Sequence, residues 1–231
     1  MRKLSIIAKN RDFLTSEGGL RHLKRKAEDS EEQVSALDDD VLVVRCQQEL
    51  PDTLTAYHEL LRRHEPLVFN TCLTMVGAYQ DAEEVCQDAF VQVFHKIKQF
   101  ERRAAFKTWL FRIAYNLCLR RRETINKRAV RERTAGDDFA SDLHQKEQAA
   151  GRQLELSAIV QEAMDQLEED QRRIVVLKFV SGLTLQEIAE VQEISLSAAK
   201  MRLYRALDRF KEIYLKIEAN DKQPKEKAVV A

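Results

Sequence analysis

Lys200, Arg202, Arg205 and Arg209 follow one another near the C-terminus, with Met201 and Tyr204 between them. Cations in this pattern can hold phosphates or donate to base edges, and the thioether and phenol ring can meet thymine methyl groups. Lys200 and Arg205 are the base-edge or phosphate candidates, and Arg202 and Arg209 flank them as backbone grips. Such residues must be presented on a braced helix. The residues before them supply the brace: Gly182 closes one helix, Thr184 caps the next, and Glu187, three residues on, completes a capping box. Leu185, Ile188, Ala189 and Ile194 keep one face apolar. Ser195 or Ser197 starts the second helix, with Leu196, Ala199, Leu203 and Ala206 facing inward. A basic helix docked on a short capped partner is a helix-turn-helix, a shape that enters the major groove.

Two further groups of residues could do chemistry. Glu84 and Asp88 lie one helical turn apart, with Asp81 and Gln87 nearby. Such acids repel DNA, and taken alone they make a solvated helix face. A metal reading of Glu83, Glu84 and Asp88 lacks the paired E-x-x-H spacing that would complete it, so no metal is expected. Downstream, Arg112, Asn116 and Arg120 share a helix face. An amide can donate to and accept from a base edge at once, or it can bond its own helix. Before that helix, Gln99 to Ala105 form a loop in which Arg102 and Arg103 can hold phosphates and Ala104 and Ala105 leave room for an extruded base. No G-x-x-x-x-G-K-[ST] motif occurs, so no nucleotide cofactor and no catalytic residue is expected; strand opening would be driven by binding energy.

The composition bounds these readings. The chain has 231 residues, and its 38 basic and 38 acidic side chains cancel. A DNA-binding protein with no net charge must sort its charges locally. It does: from Arg102 to Arg133 the acids are only Glu101, Glu123 and Glu132, whereas Asp81 to Asp88 is acidic. The run Arg120-Arg121-Arg122 reads as a phosphate-binding cluster. With 6 Gly, 3 Pro and 33% charged residues the chain reads as all-α. No apolar run approaches a membrane span and the N-terminus lacks a signal-peptide pattern, so a cytoplasmic location is expected. Cys46, Cys72, Cys86 and Cys118 form no C-x-x-C pair and read as buried reduced thiols.

Periodicity divides the chain into a mobile extension (1–36), a first module (37–123), a linker (124–152), a second module (153–217) and a disordered tail (218–231). A short helix is expected near Leu20–Ala27. Asp38-Asp39-Asp40 opens a helix with acids at its positive end. A helix from Leu54 is followed by another that Pro66 opens and Gly77 ends. Asp81 caps a third, with Val85, Ala89, Phe90, Val93, Phe94 and Ile97 on its apolar face. Phe106, Trp109, Leu110, Ile113, Ala114, Leu117 and Cys118 form the stripe of a fourth. Trp109, Phe106, Ile113 and Leu117 are therefore assigned to the core rather than to DNA. The fold expected is a helical bundle and a helix-turn-helix domain joined by a flexible linker.

Taken together, the segment from about Asp38 to Leu215 resembles the two-domain (ECF-type) sigma factors of bacterial RNA polymerase. The likeness rests on Asp81–Phe94, similar to the family's polymerase-binding helix, on Phe106–Cys118, similar to its melting and minus-ten-reading helix, and on the helix-turn-helix preceded by Leu167–Phe179. It implies core-polymerase contacts at Asp81, Glu84, Val85, Gln87 and Asp88. It implies minus-ten and melting contacts at Arg102, Arg103, Lys107, Arg112, Asn116 and Arg120. Minus-thirty-five contacts fall on Thr184, Ser197, Lys200, Met201, Arg202, Tyr204, Arg205 and Arg209. The implied function is that of a transcription initiation factor, not an enzyme, with core polymerase, duplex and melted promoter DNA, and a possible anti-sigma protein as partners. One departure stands out: the family carries Gly in the helix-helix turn where this chain has Glu193. A side chain at positive φ costs about 1 kcal/mol, so a slightly different turn is expected. The rival reading is a repressor or activator with an N-terminal sensing bundle that binds duplex DNA by itself.

Overall fold

The computed structural model describes residues 33–135 and 158–222, which are helical with no strand among them. The expected helix at Leu20–Ala27, most of the linker and the end of the tail lie outside the described residues. The helices are α1 (Asp39–Glu49), α2 (Thr55–Val76), α3 (Tyr79–Lys96), a 3₁₀ turn (Ile97–Gln99), α4 (Phe106–Ala135), α5 (Ala158–Asp165), α6 (Glu169–Phe179), α7 (Leu185–Gln192) and α8 (Leu196–Lys222). Contacts divide the chain between Leu60 and Leu61, inside α2. From Leu61 onward, helices that the sequence assigns to separate modules form one compact unit.

In the first unit, α1 begins after Asp38 with Asp39 and Asp40 in its first turn, as the acids require at the positive helix end. Leu42, Val43 and Cys46 are buried along it.

Three expectations change in the second unit. Pro66 does not open a helix: α2 runs unbroken through it. A proline removes one backbone bond and frees the carbonyl four residues earlier. Pro66 is exposed, while Val68, Cys72 and Leu73 anchor the following turns in the core. Asp81 is not the cap of α3; Ala78 holds that position and Asp81 sits in the first turn. The helix from Phe106 runs past the expected module boundary at 123 to Ala135, taking in the first part of the expected linker. Gly77 does end α2, at φ 90°, with its N–H donating to the Leu73 carbonyl at 2.8 Å.

The core stripe of α4 also differs. Phe106, Leu110, Ala114 and Cys118 are buried as expected, but so are Phe111 and Tyr115, while Trp109, Ile113 and Leu117 are only half-buried. Trp109 stacks on Phe100 at 4.5 Å between ring centroids. α4 thus has two apolar faces. One packs on α3; the other carries Thr108, Phe111, Arg112 and Tyr115 at i, i+3, i+4 and i+7 and meets α7. All four cysteines are free and buried. Burial pushes the Cys46 and Cys86 thiols up to about 12, and a hydrogen bond with Cys118 together with burial raises Cys72.

The two faces of α4 separate by mutation. Phe111→Ala should destabilise the chain by about 3–5 kcal/mol and Ile113→Ala by clearly less, read from chemical denaturation midpoints. Equal losses would contradict the assignment of the second buried face.

Candidate nucleic-acid interface

The helix-turn-helix is built as the capping residues dictate. The Glu187 N–H donates to Thr184 Oγ1 at 3.2 Å, and the Thr184 N–H donates to Glu187 Oε2 at 2.7 Å. Ile188, Ala189 and Val191 are buried beneath this cap. Leu183, also fully buried, bonds back to the Leu177 carbonyl at 3.1 Å and turns the chain out of α6. The turn between the two motif helices does not avoid the left-handed region. Glu193 adopts φ 55° and ψ 42°, and the Ile194 N–H closes the turn on the Ala189 carbonyl at 2.9 Å. The expectation of a different turn is therefore corrected: the geometry that suits glycine is kept, and Glu193 carries its steric cost. Ser195, rather than Ser197, caps α8, accepting from the Ala198 N–H at 3.1 Å.

On α8, Ala199, Leu203, Ala206 and Ile213 are buried. Lys200, Met201, Arg202, Tyr204 and Arg205 all face solvent, with Met201 53% and Tyr204 62% exposed. The thioether and the phenol ring thus lie bare between cations on the outer side of the helix. Leu196, expected inward, is 36% exposed. Ser197 is exposed, Thr184 has its hydroxyl engaged in the cap, and Arg209 pairs with Glu212 at 3.0 Å.

The acidic helix and the arginine run are coupled. Arg121 Nε donates to Asp81 Oδ1 at 2.7 Å, and the same guanidinium reaches Glu84 Oε2 at 2.5 Å. Burial alone would lower the Arg121 pKa, but the two carboxylates outweigh it and raise it. Arg121 is thus a fixed counter-ion rather than the phosphate ligand expected of it. Gln87 and Asp88 remain exposed, whereas Val85 is buried and belongs to the core instead of the outer face. Arg122 also departs from the phosphate cluster, lying 3.5 Å from Glu169; of the three arginines, only Arg120 faces solvent openly.

The remaining candidates fall on two surfaces. Arg102, at φ 55°, Arg103, Asn116 and Arg120 are exposed, and Arg103 pairs with Glu101 at 2.5 Å. Lys107 and Arg112 instead face the helix-turn-helix. Lys107 Nζ donates to the Gly182 carbonyl at 3.2 Å, and Arg112 forms an ion pair with Glu193. Thr108 Oγ1 donates to Glu187 Oε1 at 3.1 Å. Deeper in the same seam, Thr71 and Ser181 share a buried hydroxyl pair at 2.9 Å. Thr71 and Ser181 escaped the sequence reading, and Arg121 and Arg122 were read as phosphate ligands, because the partners of all four lie 37 to 110 residues away and no local spacing signals such pairs.

Comparison with known proteins agrees with this layout. Residues 60–128 match the family described as Sigma-70 region 2, and residues 157–210 match Sigma-70, region 4. The RNA polymerase sigma factor CarQ of Myxococcus xanthus is 30% identical over 166 residues, spanning 71% of this chain and 91% of CarQ. This chain belongs to the ECF-type sigma factors. The ECF RNA polymerase sigma factor SigW of Bacillus subtilis is 29% identical over 157 residues, spanning 65% of this chain and 84% of SigW. Among solved structures, the sigma factor RpoE of Bartonella quintana, in complex with the anti-sigma factor NepR, superposes with a TM-score of 0.50 at 25% identity; the match covers 70% of this sigma factor and 97% of that chain. The protein is accordingly a transcription initiation factor, and its relatives are not enzymes. No described helix of this sigma factor is long and apolar enough to cross a membrane.

Glu169 gives the unit from Leu61 onward a pH signature. Burial would raise its pKa, but hydrogen bonds and charge from Arg173 and Arg122 win and hold it below the ordinary 4.5. A depressed carboxylate stabilises fully above its unfolded pKa, and that stabilisation disappears as pH falls through the folded value. Urea midpoints of this sigma factor should therefore drop as pH is lowered below about 4.5, and Glu169→Gln should flatten part of that slope. An unchanged slope in the variant would mean that Glu169 contributes nothing to folding.

Proposed function

We propose that this sigma factor docks core RNA polymerase through the outer side of α3 and opens promoter DNA with the loop before α4 and the face of α4. It reads the upstream element as duplex with α8. The observation that carries the reading is the bare row on α8: Lys200, Met201, Arg202, Tyr204 and Arg205 all exposed above a buried Ala199, Leu203 and Ala206. Arg102, Arg103, Asn116 and Arg120 supply cations and one amide for single-stranded DNA, joined by Lys107 and Arg112 once these leave their present partners. Thr184 and Ser197 lie at the edges of the helix-turn-helix, Arg209 one turn further along α8.

Asp81, Glu84, Gln87 and Asp88 form the polymerase-facing patch, with Val85 supporting it from beneath. Arg121 cancels part of its charge and fixes the carboxylates in place, so docking on a basic segment needs less ordering of side chains. Melting draws on binding energy alone: unstacking costs a few kcal/mol, and stacking and phosphate contacts to the opened strand offset it. The chain does no chemistry of its own and works in the cytoplasm. Modules spanning 37–123 and 153–217, joined by residues 124–152 of which 124–135 continue α4, allow the two promoter elements to be held at once. The relative bound to an anti-sigma factor favours a protein inhibitor of the same kind here.

Transcription with purified core polymerase tests the reading. Initiation at a defined start should require the added chain. Lys200→Ala with Arg205→Ala should cut promoter-dependent transcripts about tenfold or more, since one good base contact is worth about 1–3 kcal/mol. Each lost phosphate contact should also reduce the log-log salt slope by about 0.9. Tight duplex binding with no polymerase-dependent initiation would establish the rival regulator instead.

A further inference from the structure

Two residues that the functional reading assigns to opened promoter DNA, Lys107 and Arg112, are occupied by the chain itself. The Gly182 carbonyl takes Lys107 and the Glu193 carboxylate takes Arg112. Between them, Thr108 is bound to Glu187 and Tyr115 lies against Gln192, whose Nε2 is 3.5 Å from the phenol oxygen. Phe111 and Tyr115 are buried on the same stripe. Every polar residue of that stripe therefore meets a group from α7 or the turns flanking it. The helix-turn-helix uses its acids for this, not its cations: Glu187 and Glu193 face α4, and the basic row of α8 points to solvent. Carboxylates set on a cationic stripe occupy the positions that phosphates would take.

We propose that α7 and its flanking turns act as an internal mask over the DNA-opening face of α4, closed in the free chain and displaced when single-stranded DNA is admitted. The inference rests on the functional reading for the role of α4, but the mask itself is a statement about two surfaces of this chain.

Phe111, Tyr115 and the Thr71–Ser181 hydroxyl pair are the buried contacts of the seam. Around them the links are side-chain pairs, several exposed, which contribute little each. At the far end, Arg122, Arg172 and Arg173 crowd about Glu169. Arg172 Nε is buried without a partner. Glu169 pairs with Arg122 and Arg173, and Asp170 also pairs with Arg173 at 2.9 Å. Ion pairs with exposed partners at the rim leave a closed state that a competing polyanion can enter.

Glu193→Gly combined with Glu169→Gln removes two of the three seam carboxylates, leaving Glu187 in its cap, and alters no candidate DNA contact. Glycine suits the left-handed turn, so the motif itself is not weakened. The opposite variant, Thr71→Cys with Ser181→Cys, closes the seam by a disulfide. Two readouts are taken on the full chain. The first is the distance between spin labels on Lys98→Cys and Lys211→Cys in the opened variant and in the parent; the four native thiols are buried and leave the labelled positions selective. The second is affinity for a fluorescent single-stranded oligonucleotide carrying the non-template sequence of a promoter that the chain serves. Opening should lengthen the label distance and raise single-strand affinity about tenfold, the factor by which a one-in-ten open population lowers apparent affinity. The oxidised cysteine pair should lose single-strand binding and regain it on reduction. Equal label distances in parent and opened variant would overturn the mask. A lengthened distance with no single-strand binding by any variant would instead sink the DNA role of α4 and leave the closed seam standing.

Discussion

Helix α4 is asked to bury two faces at once, and the compact unit from Leu61 onward depends on its doing so. Phe106, Leu110, Ala114 and Cys118 commit one face to α3. Phe111 and Tyr115 commit another, on the side of α4 that meets α7. Burying a phenylalanine from water is worth about 1.5–3 kcal/mol, far more than any one exposed ion pair in the seam. Apolar area therefore supplies the attraction between the two halves, and the pairs at Lys107, Thr108 and Arg112 set its register.

Charge is distributed by the same logic. A chain with 38 cations and 38 anions could spread them evenly. Instead, the acids of α3 take Arg121, those of α7 and its turn take Thr108 and Arg112, and Glu169 takes Arg122 and Arg173. The basic row of α8 and Arg102 stay exposed, as do the acids Glu83 and Asp88 on α3. Net neutrality thus coexists with a locally basic row on α8.

The helix-turn-helix was legible in its caps and most of its buried face, since capping and short-range periodicity are local rules that Thr184, Glu187 and Ile188 obey whatever lies around them, although Leu196 is exposed where it was expected inward. The thiols were legible for a similar reason, as no spacing offered them a ligand set. Phe111 and Tyr115 were not. On an isolated helix they fall outside the main stripe, and only a partner about 77 residues away gives them a place to be buried. Pro66 misled because its local rule is strong, yet packing on both sides of it is stronger. Glu193 misled in the reverse sense: the cost of its backbone was read correctly, but one such cost is small beside the packing of α7 on α8.

The sulfur atoms carry a last consequence. With Cys46 and Cys86 held at about 12, roughly one molecule in 10⁵ presents a thiolate at either position at neutral pH. Peroxide attacks thiolates, so burial that keeps these two thiols protonated also slows their oxidation.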